Sequence, residues 1–118
     1  MTTYLGREAL MAALTHLVEA DFTHATLAGT IRIREITAQQ ALDIRQAAGS
    51  GADFDAVLWH SLTAQAGVID GPGGAPMLTV DDAAALGAGR NGLLLALANA
   101  IWALSEGAPG DLKKGSSA

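Results

Sequence analysis

Hydrophobic residues recur at intervals of three and four over most of the chain, the spacing that places them on one face of an α-helix. The clearest case lies over about residues 90–105, where leucine and isoleucine follow one another at steps of three, four and three. Four earlier segments begin at residues that suit helix N-caps. We expect these N-caps at Thr2 or Thr3, Thr37, Asp53 and Thr79.

Two of these helix starts carry further signals. Thr37 and Gln40 have the spacing of a capping box, in which each side chain binds a free backbone N–H of the other residue. Asp81 and Asp82 fall in the first turn after Thr79, where the helix dipole favours negative charge. The helix after Asp53 is expected to enter the core with one apolar stripe, made of Phe54, Val57, Leu58, Leu62 and Ala66.

Residues 18–36 follow a different pattern. Apolar residues alternate with polar ones at Val18, Ala20 and Phe22, and Ile31 and Ile33 alternate with arginines. A turn at residues 27–29 separates the two stretches. We therefore predict an α+β fold, mostly α: a compact bundle of four to five helices with an N-terminal β-hairpin at about residues 18–36. It forms one domain over residues 1–107, followed by a disordered C-terminal tail at 108–118.

Composition limits the partners. A net charge of −5 argues against nucleic acid, whose binding needs clustered Lys and Arg. The absence of cysteine excludes disulfides and thiolate metal sites. No apolar run is long enough to cross a membrane, and the N-terminus lacks the pattern of a signal peptide, so we expect a cytoplasmic protein.

Candidate catalytic and ligand-binding patterns are weak. Residues 87–92 match the letters of a dinucleotide-binding GxGxxG motif, but a helix is predicted before them where that motif needs a strand. His60 and Ser61 are neighbours without a third orienting group, and we interpret them as a polar helix face. Adjacent carboxylates such as Asp81 and Asp82 do not converge on a metal. We expect no enzyme, no cofactor and no metal.

The tryptophans are the better candidates for function. Trp59 lies on the same side of its predicted helix as polar residues, at the edge of the core or outside it. Leu95, Ala98 and Trp102 form a second apolar stripe on the last helix, which makes that helix apolar almost all round. Such a helix is either central in its domain or covered by a partner. These four residues are our candidate partner-binding surface, and a homo-oligomer is one way to cover it.

Two segments resemble the small tail assembly chaperones of long-tailed, non-contractile bacteriophages of the lambda-like kind. The first is GTIRIREIT, at residues 29–37. The second is VIDGPGGAPMLTVDD, at residues 68–82, and a leucine-rich helix ending in Leu104 and Ser105 follows it. The chain departs from the family pattern at Leu78, where phenylalanine is common, and in its glycine-rich connector at residues 87–89.

The resemblance implies a protein of the bacterial host cytoplasm that is absent from the mature virion. It implies binding to the long, helical tape measure protein, which it keeps soluble, and recruitment of tail tube subunits. It also raises the possibility of a frameshifted longer form, because the adjacent Lys113 and Lys114 can be encoded by a slippery run. Two other classes stay open: a structural head-to-tail connector or minor tail protein, and a small dimeric antitoxin-like regulatory module.

Overall fold

The computed structural model describes residues 2–106 of the chain. Over these residues it has five α-helices, one short 3₁₀ helix and one antiparallel sheet, so the fold is α+β and mostly α, as predicted. The expected tail at 108–118 and the lysine pair at 113–114 lie outside the described residues. The elements are α1 (Arg7–Thr15), β1 (Glu19–Phe22), β2 (Ile31–Arg34), α2 (Ala38–Ala48), the 3₁₀ helix (Gly51–Asp53), α3 (Ala56–Gly67), β3 (Val68–Ile69), α4 (Val80–Leu86) and α5 (Asn91–Glu106).

The predicted hairpin is confirmed, and the sheet has a third strand that the sequence did not reveal. β1 pairs with β2 in antiparallel register, with Ala20 opposite Ile33. β2 also pairs with β3, with Ile33 opposite Val68, so the strand order is β1-β2-β3. β3 has only two residues and directly follows α3, so its apolar pair cannot be distinguished by periodicity from the end of a helix.

Both predicted threonine caps are present as capping boxes. The Gln40 N–H donates to the Thr37 hydroxyl at 3.1 Å, and the Thr37 N–H donates to the Gln40 side chain at 3.0 Å. Thr79 and Asp82 repeat the arrangement at the start of α4. Each box satisfies two backbone N–H groups that have no partner within the helix. The carboxylate of Asp82 is thus explained by helix initiation.

The other two predicted caps are wrong. α1 begins after Gly6, which makes no side-chain cap bond, and it leaves Thr2 and Thr3 outside the helix. α3 is capped by Asp55, whose carboxylate accepts the Leu58 N–H at 3.0 Å. The reason in the second case is that Asp53 belongs to the 3₁₀ helix that precedes α3.

The buried face of α3 consists of small residues, which corrects the predicted stripe. Phe54 precedes the helix and is 44% exposed, and Val57 is 51% exposed. α3 packs against α2, α4 and α5, so three helices approach it and its large side chains lie at the margins. Small side chains allow such close helix packing. The residues buried on α3 are Ser61, Thr63, Ala64, Ala66 and Gly67.

The main core lies between the sheet and the helices α2, α3 and α5. Ile33 of β2, Ile44 of α2 and Ile101 of α5 are almost fully buried there. Alternation along β2 places Ile33 on the helix side of the sheet and Arg32 on the opposite side, as predicted.

α1 does not belong to the predicted bundle. None of its nine residues is buried against the rest of the described chain. Its apolar residues follow helical spacing, but α5 packs against the sheet, α3 against α5 and α2 against α3, and α1 is left at the edge of the fold. A helix this short is marginal on its own in water, because nucleation is unfavourable.

On the side of the sheet that faces away from the helices, Glu19 of β1 forms hydrogen bonds to the loop after β3 and to Arg32 of β2. Its carboxylate accepts the Gly73 backbone N–H and the Arg32 guanidinium N–H, both at 3.0 Å. Arg32 also donates to Asp21 at 2.8 Å. The bond from Gly73, followed by the bond from Arg32, lowers the pKa of Glu19 below its ordinary value near 4.5.

This lowered pKa predicts a loss of stability in acid. The ionised Glu19 stabilises the folded state above its ordinary pKa, and this contribution is lost as the pH falls through the lower folded value. Chemical unfolding at about pH 6 and at about pH 3 gives the free energy of unfolding at each pH. The loss of this free energy between the two pH values should be smaller for Glu19→Gln than for the wild type. An equal difference in the two proteins would contradict a role for this carboxylate.

Ser61 is buried, which corrects its assignment to a polar helix face together with His60. It is 2% exposed, and its hydroxyl has no hydrogen-bond partner among the described residues. The neighbouring buried hydroxyl of Thr63 is satisfied, because it donates to the Trp59 carbonyl at 2.7 Å. His60 is partly buried beside it on the same helix.

We expect Ser61→Ala to raise the free energy of unfolding by about 1 kcal/mol, because it removes a buried polar group without a partner. Thr63→Val is the matched control, since it removes a bonded hydroxyl and should cost about 1–2 kcal/mol. Urea unfolding followed by tryptophan fluorescence measures both. A destabilised Ser61→Ala protein would show that the hydroxyl is bonded in solution.

Candidate partner-binding surface

The structure brings Trp59 of α3 and Trp102 of α5 together. Their rings are stacked, with centroids 4.8 Å apart and an angle of 15° between the ring planes. Phe54 meets Trp59 edge-on at 5.7 Å, and the guanidinium of Arg45 lies 5.5 Å from the centre of the Trp102 ring. We call these four residues the aromatic cluster. Both tryptophans are half-buried, whereas Phe54 and Arg45 are exposed.

Hydrogen bonds hold the tryptophan pair in place from the core side. The indole N–H of Trp102 donates to the Thr63 hydroxyl at 2.8 Å, and that hydroxyl donates to the Trp59 carbonyl at 2.7 Å. The polar atom of the Trp102 ring is thus satisfied internally. What the cluster offers to the outside is therefore apolar ring surface with one arginine beside it.

A groove of about 620 Å³ continues from the aromatic cluster. One wall is the end of α1 and the residues after it, and the other is the start of α2 together with the end of α5. Trp102 and Arg45 line it and also belong to the aromatic cluster, so the two features form one surface. We call it the α1 groove; its lining is Ala13–Leu17, Glu35–Ala38, Ala41, Arg45, Trp102 and Ser105.

The four residues expected from the sequence have different positions. Trp59 and Trp102 meet in the aromatic cluster. Ala98 is fully buried in the core, so its assignment to an outer surface is wrong: its short side chain lets α5 pack closely against its neighbours. Leu95 is 38% exposed and lies two helical turns before Trp102, outside the lining of the α1 groove.

The sequence does not indicate that Phe54 and Arg45 are surface residues. Phe54 stands at helical spacing from Leu58, which predicts a core position, but the helix begins only after it. A signal was present in the aspartates on either side of it, at positions 53 and 55, since both suit helix starts. No sequence signal places Arg45 over an indole that is 57 residues further along the chain.

A second, smaller groove of about 280 Å³ has an almost wholly apolar lining and lies where β2 and β3 meet α4 and α5. Met77 at its margin is 51% exposed. The glycine-rich connector at residues 87–89 borders it, between two helices as predicted, so a strand does not precede the GxGxxG letters. The groove is lined by Ile31, Val68, Met77, Leu78, Leu86, Gly89, Arg90, Leu93, Leu94 and Leu97.

The two segments that carry the family resemblance and the leucine-rich helix that follows them are in contact. β2 lies in the first segment and pairs with β3 at the start of the second. The hydroxyl of Ser105, at the end of that helix, accepts the Ile36 backbone N–H at 2.9 Å and donates to the Ile101 carbonyl at 3.1 Å. The resemblance thus covers residues that build one continuous part of the fold.

Within residues 2–106, no three His, Asp or Glu side chains come together as ligands for a metal ion. None of the helices in this part of the chain is both long and apolar enough to cross a membrane. Comparison of the chain with protein-family models, with curated proteins and with solved structures gives no match.

Proposed function

We propose that the protein is a phage tail assembly chaperone, which binds the tape measure protein in the bacterial cytoplasm and is absent from the mature virion. In this role it keeps the tape measure protein soluble and helps recruit tail tube subunits. The observation that carries the proposal is the aromatic cluster that continues into the α1 groove, on a fold built from the segments that resemble this family.

The client suited to this surface is an amphipathic helix. Helices of this kind bind in apolar grooves through residues at spacings of three and four. The stacked tryptophans and Phe54 offer the aromatic area that dominates binding sites, and little conformational entropy is lost because Trp102 is already held by Thr63. The guanidinium of Arg45 stands at the margin, where it can pair with an acidic residue of the client.

The charge of the chain supports the same role. A net charge of −5 on each bound copy adds repulsion between complexes, which keeps them apart in solution. It also disfavours contact with phage DNA, which is a competing polyanion in the same cell. The surface offered to the client, in contrast, is mainly apolar, and its two charged residues, Glu35 and Arg45, sum to zero.

The test is co-expression with the protein encoded by the longest open reading frame just downstream, followed by size-exclusion chromatography of the soluble fraction. We expect the long protein to be soluble only in complex with this chain. Phe54→Ser should weaken the affinity for the long protein roughly thirtyfold, because an aromatic hot-spot contact is worth about 2 kcal/mol. Met77→Ser removes a comparably exposed side chain from the other groove and should leave the complex intact.

Phe54 suits this test better than Trp102. Replacing Trp102 removes the ring stack and the bond to Thr63, so it lowers the stability of the chaperone itself. Phe54→Ser loses the edge contact with Trp59, worth about 1 kcal/mol, and the burial of part of one ring, but it leaves the ring stack and the bond to Thr63 in place. A long protein that stays insoluble, or is soluble alone, would overturn the proposal, and recovery of the chain from purified particles would identify it as a structural component.

A further inference from the structure

Exposed apolar side chains are concentrated around α1. Of the twelve large hydrophobic residues that are exposed in the described part of the chain, six lie between positions 4 and 18. Together they expose an apolar area on the order of 600 Å². Their exposed fractions are 88% for Tyr4, 66% for Leu5, 46% for Leu10, 43% for Met11, 69% for Leu14 and 44% for Val18.

The same helix forms one wall of the α1 groove. Leu14 of α1 and Leu17, two residues after its end, line it from this side and face the start of α2 and the end of α5. An amphipathic helix inserted between the walls would therefore cover the apolar face of α1 and the apolar side of α2 in one step. α1 is itself a helix of this kind, with Leu10, Met11 and Leu14 at helical spacing.

The charged residues of α1 and those of the α1 groove are compatible with the binding of a second copy's α1. α1 carries one basic and one acidic residue, Arg7 and Glu8, and its net charge is zero. The groove carries Glu35 and Arg45, which again sum to zero. Two copies of this acidic chain can therefore meet at this place without like-charge repulsion, and each ionic residue of the helix has an opposite charge available.

We infer that the protein forms a two-fold dimer in which the α1 helix of each copy lies in the α1 groove of the other. The contact is self-complementary, as a two-fold interface must be, because helix and groove belong to the same face. Both copies together would bury on the order of 1,200 Å² of apolar surface, the lower limit for a specific interface. The dimer is therefore stable at high concentration and dissociates on dilution.

A second α1 and the client helix of the proposed chaperone would use the same groove, so they exclude each other and the weaker dimer contact gives way to the client. The inference itself rests on α1 and its groove and does not require the chaperone proposal. It is tested on the purified chain alone, so the two can fail separately. Sedimentation or light scattering should give a mass that rises with concentration from 12.0 kDa towards twice that value. Leu14→Glu should keep the protein monomeric at concentrations where the wild type is a dimer.

Val80→Glu is the matched control. Val80 is 71% exposed, against 69% for Leu14, and it lies on α4 away from the groove. The variant should dimerise like the wild type, which separates the effect of α1 from that of an added charge. A wild type that stays monomeric at sub-millimolar concentration, or a Leu14→Glu protein that still dimerises, would overturn the inference.

A cross-link identifies what fills the groove. The chain has no cysteine, so Leu10→Cys in α1 combined with Ala38→Cys at the groove gives one defined thiol pair. Oxidation should produce a disulfide-linked dimer on a non-reducing gel, and Val80→Cys with Ala38→Cys should not. A disulfide formed within one chain would instead mean that α1 closes onto its own groove, and it would overturn the exchange between copies.

Discussion

Ile101→Ala is expected to lower the free energy of unfolding by about 3–4 kcal/mol, a large part of the total stability of a domain of this size. Ile101 is fully buried in the middle of the core, and its side chain contacts Gly67 of α3. The substitution removes three carbon atoms from a place that the surrounding helices cannot fill. Urea unfolding monitored by the fluorescence of Trp59 and Trp102 measures the loss.

Leu95→Ala is the control on the same helix. Leu95 is 38% exposed, so its truncation removes less buried surface and should cost about 1 kcal/mol or less. Both variants have alanine, with the same helix propensity, at the substituted position of α5. The difference between their losses therefore reports mainly the effect of burial. Equal losses at the two positions would contradict the placement of Ile101 at the centre of the core.

The fold class and the helix starts at Thr37 and Thr79 could be predicted because they depend on local signals. The capping boxes at Thr37 and Thr79 use only residues within one turn, and the alternation around Ile31 and Ile33 defines a strand without further context. β3 was missed for the opposite reason. Its two residues become a strand only because β2 is available to pair with them, and that partner is more than thirty residues away in sequence.

The burial of α3 could not be predicted from its composition. Large apolar residues normally indicate the buried face, but Val57 is exposed and Ser61 is buried. The helix is surrounded by α2, α4 and α5, so the limiting factor is the space between backbones, which favours small residues. Hydrophobic spacing along one helix contains no information on how many neighbours it has.

The candidate surface was found in part. Tryptophans at the edge of an apolar stripe are a good signal for binding sites, and Trp59 and Trp102 prove to be neighbours. Ala98 shares the stripe with Trp102 but is fully buried. Helical spacing alone does not show which members of such a stripe face the core and which face the solvent. The exposure of α1 is also a tertiary property, because its own pattern is that of a packed helix.

Gly67→Ala is expected to destabilise the protein by about 2–3 kcal/mol, although alanine is the better helix former. A Cβ atom at position 67 would lie 2.6 Å from Cγ2 of Ile101 and 2.8 Å from its Cδ1. These atoms belong to a fully buried side chain that has no free space to move into. The clash therefore outweighs the gain in helix propensity, which is at most about 1 kcal/mol.

Gly92→Ala separates these two effects. Gly92 lies in the first turn of α5, and a Cβ atom there would meet no other atom within 4 Å. The variant should be as stable as the wild type or more stable by up to about 1 kcal/mol, because only the propensity changes. Thermal unfolding of the two glycine variants side by side gives the comparison.

The clash at Gly67 also predicts a specific coupling with Ile101. In the double variant with Gly67→Ala and Ile101→Ala, the new methyl group enters the space that the isoleucine has left. The double variant should thus be more stable than the sum of the two single losses predicts, by 1 kcal/mol or more. Strict additivity would mean that the cost of Gly67→Ala does not arise from Ile101, and it would contradict the clash between the two side chains.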